Sequence, residues 1–300
     1  MRVGVSLHRT GSARDLADLA RRLEDEGYDQ LQVADHLGYL SPFPALAVAA
    51  TATEHLGLGT LVCNNDFWNP ALLAREAATL AVLSEGRFEL GVGAGHAQVE
   101  YEAAGIAYDP PSTRIDRLTE SVAILRGLLA GERVTHAGTH HHLQDAATDL
   151  DHPPVPLLVG GNGDRVLALG AREADAVGLT GFTSGTGQSH SDLSHFTWDG
   201  LAERITHVRS AAGDRQPAPE LHVLVQYVAT GDRAQLAEDA SGPFAQPAEL
   251  LLDSPFVMLG SVDDHVEHCA RLAQAGVTRL TAFEGRGAEL LAPVIARVGS

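Results

Sequence analysis

Three hundred residues, 44% hydrophobic and 20% charged, suit one α/β barrel whose core needs no disulfide staples. A formal net charge of −18 disfavours nucleic acid and anionic membrane as partners. No apolar run reaches spanning length. Cys63 and Cys269 form no CxxC pair, so a cysteine metal site and a disulfide framework are excluded and a reducing, cytoplasmic setting is expected. The opening Arg2–Leu7 is too short for a signal peptide. The chain contains no lysine. Schiff-base chemistry, a P-loop lysine and an amine base are therefore absent, and proton transfer falls to His, Asp, Glu or Tyr.

In chain order, Arg2–Leu7 reads as a strand, and Leu16, Leu19, Ala20 and Leu23 mark a helix that stops at Gly27. Strands follow at 30–34, 58–63 and 87–92, separated by helices at 44–55 and Pro70–Leu83. A long helix is expected from about Arg114 to Leu129. Residues 131–154, with Gly131, Gly138, three consecutive histidines and Pro153-Pro154, read as a hairpin excursion. A fifth strand spans 155–159, with a helix at 164–172, and a sixth spans 176–179. Residues 181–194 read as a mobile polar loop, followed by a helix at Trp198–Ala212. The seventh strand is expected at 221–228, with short helices at best over 229–256. Ser261 and Asp264 form a capping box for a helix at Val262–Ala275, Gly276 ends it, and a strand at 277–283 and a helix at 289–298 close the chain. Eight strand–helix alternations without a composition break predict a (β/α)8 TIM barrel, one domain over 1–300, with insertions at its C-terminal face.

In that fold the active site lies at the C-terminal ends of the strands. Asp35 and His36 stand there after the second strand, Asn64, Asn65 and Asp66 after the third, and Gly95 and His96 after the fourth. Gly160-Gly161-Asn162 follows the fifth, Thr180-Gly181 the sixth, and Glu284 and Arg286 the eighth. The glycine pair lets backbone approach a ligand, and the next helix offers free N–H groups, with Arg165 in its first turn, which suits a phosphate. A tight turn with no ligand fits equally well. His36 and His96 are candidate acid/base groups, and Asp35 could orient the His36 ring. The structural alternative for each is a loop-bonded histidine.

Consecutive His140-His141-His142 cannot all face one ion, so no metal site is expected. Gly91-Val92-Gly93-Ala94-Gly95 lacks the third glycine of a dinucleotide fingerprint and a strand for its acidic partner. Tyr101, Phe182, Phe196, Trp198 and Phe244 could line an apolar pocket, although scattered aromatics more often serve packing.

Several stretches together are similar to the luciferase-like oxidoreductases. They are Tyr28-Asp29-Gln30 through Val33-Ala34-Asp35-His36, the run from Leu56 to Val62 with Asn69-Pro70, Ser84-Glu85-Gly86-Arg87 through Gly93-Ala94-Gly95, and Pro156 to Gly161 with Arg172 to Ala176. The ending, Val277 to Phe283 and Ala292 to Arg297, resembles the family's as well. The Asp35-His36 pair resembles the branch that binds the deazaflavin coenzyme F420. The resemblance implies a non-proline cis peptide at Leu61-Val62 behind the ring, Asn64 and Gly95 near the ring, and backbone at Gly160-Gly161-Asn162 and Leu179-Thr180 near the cofactor phosphate. It also implies a homodimer. His96 stands where sugar-phosphate-oxidising relatives carry a glutamate, and no set of basic residues for a phosphorylated sugar is evident.

The function expected is hydride transfer between F420 and a small organic substrate, at a C=C or C=N bond or in reverse, with His36 or His96 handling the proton. One alternative is an FMN-dependent monooxygenase that uses reduced flavin from a separate reductase and O2. The other is a non-catalytic flavin-binding protein. An F420 or flavin reductase would be the electron supplier.

Overall fold

The computed structural model describes residues 1–184 and 191–298. Eight parallel strands close into a barrel: β1 (Arg2–Leu7), β2 (Gln30–Val33), β3 (Gly57–Thr60), β4 (Phe88–Gly93), β5 (Leu157–Gly161), β6 (Ala176–Leu179), β7 (Glu220–Val225) and β8 (Arg279–Phe283). Each pairs with its sequence neighbour, β1 pairs with β8, and Leu58 opposite Phe88 on β3 and β4 completes the ring.

Alternation along the strands divides their side chains between two compartments. Val3, Val5 and Leu7, then Leu31 and Val33, Leu90 and Val92, Val177 and Leu179, and Val223 and Val225 point outward into the main apolar core beneath the helices. The inward set is of a different kind. Gly91, Gly93, Gly160 and Gly178 alternate with those outward residues, and Glu89, His222, Arg279, Thr281 and Gln32 are buried among them. TIM barrels usually fill this space with branched apolar residues. Here glycines leave room for long polar side chains, and only Leu61, Leu158 and Ala176, with Val62 and Leu224 against them, form an apolar layer inside.

The helices obey their local signals. Ser12 caps Ala13–Asp25, Asn69 caps Pro70–Leu83 with proline at the first position, and Ser261 and Asp264 make the expected capping box. None of the described helices is long and apolar enough to cross a membrane.

Four differences from the sequence expectations bear on the site. The third strand stops at Thr60, where Leu61-Val62 is cis, and resumes as Cys63–Asn64 beside β4. The seventh strand breaks at Gln226; beyond it Tyr227–Thr230 leaves the barrel and pairs with Val257–Gly260, a strand in a region read as irregular. The same region holds the helices Arg233–Phe244 and Ala248–Leu252. The helix at 114–129 begins earlier, at Pro111, and a further helix at Gln98–Ala104 precedes it. Gln98-Val99-Glu100 and Pro111-Ser112-Thr113 carry no apolar periodicity of their own.

The excursion at 131–154 contains the expected hairpin, Val134–Ala137 with His142–Ala146. Its turn is held by the Glu120 carboxylate, which accepts from the backbone N–H of Thr139, His140 and His141 at 2.8, 3.0 and 3.0 Å. Of the loop expected at 181–194, residues 185–190 lie outside the described residues.

Candidate active site

A cavity of about 470 Å³ opens at the C-terminal ends of the strands. Asp35, His36, Leu61, Val62, Asn64, Gly95, His96, Gly160, Gly161, Asn162 and Thr180 all border it. Leu179 does not. It points outward into the main core, fully buried, because strand alternation gives the cavity to its neighbours Gly178 and Thr180.

The Leu61-Val62 step forms one wall. Val62 projects across the barrel into space left by glycines: a Cβ on Gly160 would lie 2.9 Å from Val62 Cγ1, and one on Gly93 would lie 2.8 Å from Cγ2. The glycines of β4 and β5 thus admit Val62. Gly95 has φ +73, and a Cβ there would sit 2.0 Å from Tyr101 Oη and 2.5 Å from Asn64 Oδ1. Tyr101, fully buried, donates to Asn64 Oδ1 at 3.0 Å, and Asp66 Oδ2 is 3.2 Å from the same hydroxyl. Arg117 pairs with Asp66 at 2.6 Å. This network fixes Asn64 from behind.

Asp35 does not orient His36. Its Oδ2 accepts from Trp68 Nε1 at 2.8 Å and from the Asn64 backbone N–H at 3.2 Å, so it braces the resumed third strand. Burial raises its pKa, opposed by those two bonds. The carboxylate on His36 is Glu100, from the unanticipated helix Gln98–Ala104. Glu100 Oε1 lies 2.7 Å from His36 Nδ1, while Oε2 accepts from the Leu37 N–H at 3.3 Å. A carboxylate that only accepts places the proton on Nδ1 and leaves Nε2 to the cavity.

His96 stands edge-on to His36, ring centroids 5.3 Å apart. It is open through the mouth yet flanked by protein elsewhere; that burial, then the neighbouring His36, lowers its pKa. His8 lines the same mouth and was not singled out in the sequence. It stacks on Tyr39 at 4.8 Å and leans on Phe283 at 4.7 Å, and burial followed by the Arg286 charge lowers its pKa to about 4. Both rings are aromatic surface near neutral pH.

Gly160 to Gly163 line the opposite side and lead into the helix Asp164–Glu173. Its N-cap is Gly163, with no side-chain cap; the Val166 N–H turns back to the Gly163 carbonyl at 3.1 Å, so the N–H groups of Asp164 and Arg165 and the positive end of the helix dipole remain for an anion. Arg165 contributes nothing here; it pairs with Asp116 at 2.5 Å and does not border the cavity. Arg114 does border it, yet its donors go to Ala94, Asp109 and Gly95 carbonyls at 3.2, 2.5 and 3.4 Å, and its guanidinium lies 4.2 Å over Tyr108.

Of the proposed aromatic lining only Phe182 reaches the cavity, joined by Tyr39 and Phe283. Tyr101 lies behind Asn64 and Gly95; Phe196 packs on Phe256, Trp198 on His268, and Phe244 on Tyr227. The sequence also missed His222, Leu224 and Gln226, which enter through the alternation of β7.

A family model described as luciferase-like monooxygenase matches residues 1–271. The F420-dependent glucose-6-phosphate dehydrogenase of Beutenbergia cavernae is 37% identical over 308 aligned residues, covering 91% of this chain and 88% of that protein. The 5,10-methylenetetrahydromethanopterin reductase of Archaeoglobus fulgidus is 26% identical, with 94% and 93% covered. Among solved structures, an F420-dependent secondary alcohol dehydrogenase in complex with an F420-acetone adduct aligns with TM-score 0.78 at 21% identity, covering 99% of this chain and 98% of its own, a likeness of fold.

Proposed function

The chain belongs to the luciferase-like monooxygenase family, and on that premise we propose that it is an oxidoreductase moving a hydride between coenzyme F420 and a small organic substrate, at a C=C or C=N bond or in reverse. One observation carries this reading: a single cavity holds an uncapped glycine-led helix N-terminus on one side and a carboxylate-oriented histidine on the other. The F420-dependent name of the Beutenbergia cavernae relative supports the choice of cofactor.

The residues present fit such a group. Val62, admitted by Gly93 and Gly160, offers an apolar face, and the turn at Gly160 to Gly163 is open to an anionic tail, with space around a Cβ at Gly163. Leu61, Val62, Asn64 and Gly95 would border the ring; Gly160, Gly161, Asn162 and Thr180 would hold the phosphate side. The bound deazaflavin would supply the hydride chemistry. His36, with Nδ1 on Glu100, takes a proton at Nε2 in one direction and returns it in the other. His96 and His8 remain uncharged walls at neutral pH and, with Tyr39, Phe182 and Phe283, exclude water around the reacting carbon.

The substrate is an organic molecule other than a sugar phosphate. Of the two arginines bordering the cavity, Arg114 is bonded to backbone carbonyls and Arg286 lies over the Phe283 ring at 5.4 Å, away from His96; the chain has no lysine. Glucose 6-phosphate is accordingly expected to give no turnover. We also infer a homodimer, a cytoplasmic setting and a separate F420 reductase as electron supplier; light scattering checks the first.

The test is fluorescence titration with F420 and with FMN, on the native chain and on Gly163→Asp. Micromolar F420 binding that the variant weakens, without FMN binding, is the expected result. Tight FMN binding instead would point to the monooxygenase alternative. Binding of neither would sink the reading. Loss of turnover in His36→Ala with cofactor binding kept separates an enzyme from a mere flavin binder.

A further inference from the structure

The interior below the Val62 wall is polar, and one of its side chains opens into the cavity. His222, on β7, is 1% exposed and lines the floor with Leu224 and Gln226. Its Nε2 lies 2.9 Å from Thr281 Oγ1, and the Thr281 hydroxyl donates to Gln32 Oε1 at 2.6 Å. A hydroxyl has one hydrogen. With Gln32 oriented so that its Oε1 takes that hydrogen and its Nε2 stays unpaired, Thr281 accepts from His222, so Nε2 carries the imidazole proton and Nδ1 keeps a bare lone pair. Gly4 makes the arrangement possible: a Cβ there would sit 2.7 Å from Thr281 Oγ1.

His222 Nδ1 is buried and has no hydrogen-bond partner among the described residues. An acceptor buried without a partner loses its hydration and gains nothing in return. A network that fixes the tautomer and leaves that acceptor unpaired, just beneath the surface of a residue bordering the cavity, is arranged for a donor that arrives with the ligand.

We propose that His222 is a ligand-recognition residue whose Nδ1 accepts a hydrogen bond from a ring N–H of the heterocycle bound in the cavity, with Thr281 and Gln32 as positioning residues. This rests on the reading of the cavity as a deazaflavin site, since that ring system carries an imide N–H between two carbonyls. The class of ligand recognised is a planar heterocycle with an imide or lactam N–H. His222 does not act as a cation toward phosphate or as an acid: burial, reinforced by the Arg279 and Arg2 charges, holds its pKa well below the ordinary histidine value. Its role is thus distinct from that of His36.

The experiment compares binding of the deazaflavin ring fragment and its imide-N-methyl derivative, by fluorescence quenching, to the native chain, His222→Phe and Thr281→Val. The native chain should prefer the parent by about tenfold, the size of one buried hydrogen bond. His222→Phe should bind both equally. Thr281→Val, which frees the tautomer, should fall between them. The methyl comparison on the native chain needs no variant and stands even if His222→Phe does not fold. Nitrogen NMR of the ligand-free chain should show the His222 proton on Nε2. A native chain that binds both forms alike, a His222→Phe chain that keeps the preference, or a proton found on Nδ1 would each overturn the assignment while leaving the cofactor reading intact. A native chain that binds neither F420 nor FMN would instead overturn the cofactor reading, and this assignment with it.

Discussion

Glu100 holds His36 across 64 residues of sequence, Oε1 to Nδ1 at 2.7 Å, with both side chains partly screened from solvent. The carboxylate sets which ring nitrogen carries the proton and which way the ring faces. Glu100→Gln keeps the shape, yet its amide can turn a donor toward Nδ1 and invert the tautomer. We expect kcat to fall by about 10–100-fold, the usual size of an orienting partner's contribution, with little change in KM and a displaced pH–rate profile. A merely structural role would lower the melting temperature and leave the profile in place.

Gly163→Asp tests the anion site without steric strain. The residue has φ −74, and a Cβ there would meet nothing within 4 Å. Aspartate is a good N-cap, so thermal stability should hold or rise by a few tenths of a kcal/mol. The same carboxylate would occupy and repel at the helix N-terminus, and F420 affinity should drop by about tenfold or more, more strongly at low salt. Unchanged affinity would move the phosphate elsewhere.

Gly95→Ala should be damaging through two mechanisms at once. The positive φ disfavours a side chain, and the Cβ would overlap Tyr101 Oη and Asn64 Oδ1. A loss of about 2 kcal/mol or more is expected in urea unfolding, with weakened cofactor binding because Asn64 must move. Tyr101→Phe in the same background removes the nearer oxygen and should restore part of the loss.

Acid should destabilise this chain from mildly acidic pH downward. His8 and His268 are each lowered to about 4 by burial, and His222 lies well below the ordinary value. A histidine with a depressed folded pKa binds fewer protons folded than unfolded, so stability falls as pH drops from about 6.5 toward 4. Glu120, which burial pushes up but the backbone N–H groups of His140, His141 and Thr139 together bring down to about 2, adds a loss between about 4.5 and 2. Urea midpoints at pH 7.5, 5.5 and 4.5 should decline in that order. A flat series would contradict the buried neutral histidines, and His8→Phe should flatten the upper part of the decline.

Short-range patterns made the barrel legible. Strand and helix periods, prolines at helix starts and the Ser261-Asp264 capping box are local signals, and local sterics and hydrogen bonds decide them. The position of Asp35, His36, Asn64, His96 and Gly160-Gly161 at strand ends follows from the same patterns once the fold is assigned. What each of them touches does not follow. Asp35 precedes His36 in sequence, yet successive residues at a strand end diverge, and Asp35 turns to Trp68. Arg165 sits in the right helical turn, yet it points outward to Asp116.

Local patterning therefore sufficed for the barrel, the face that carries the site and the loops that supply it. That Glu100 orients His36, that Leu179 turns away, and that β7 brings His222 to the cavity follow from the folded arrangement alone. The reason is the closure of the barrel. Strand alternation and the ring of eight strands bring residues far apart in sequence onto one inner surface, and no local period records which of them meet there.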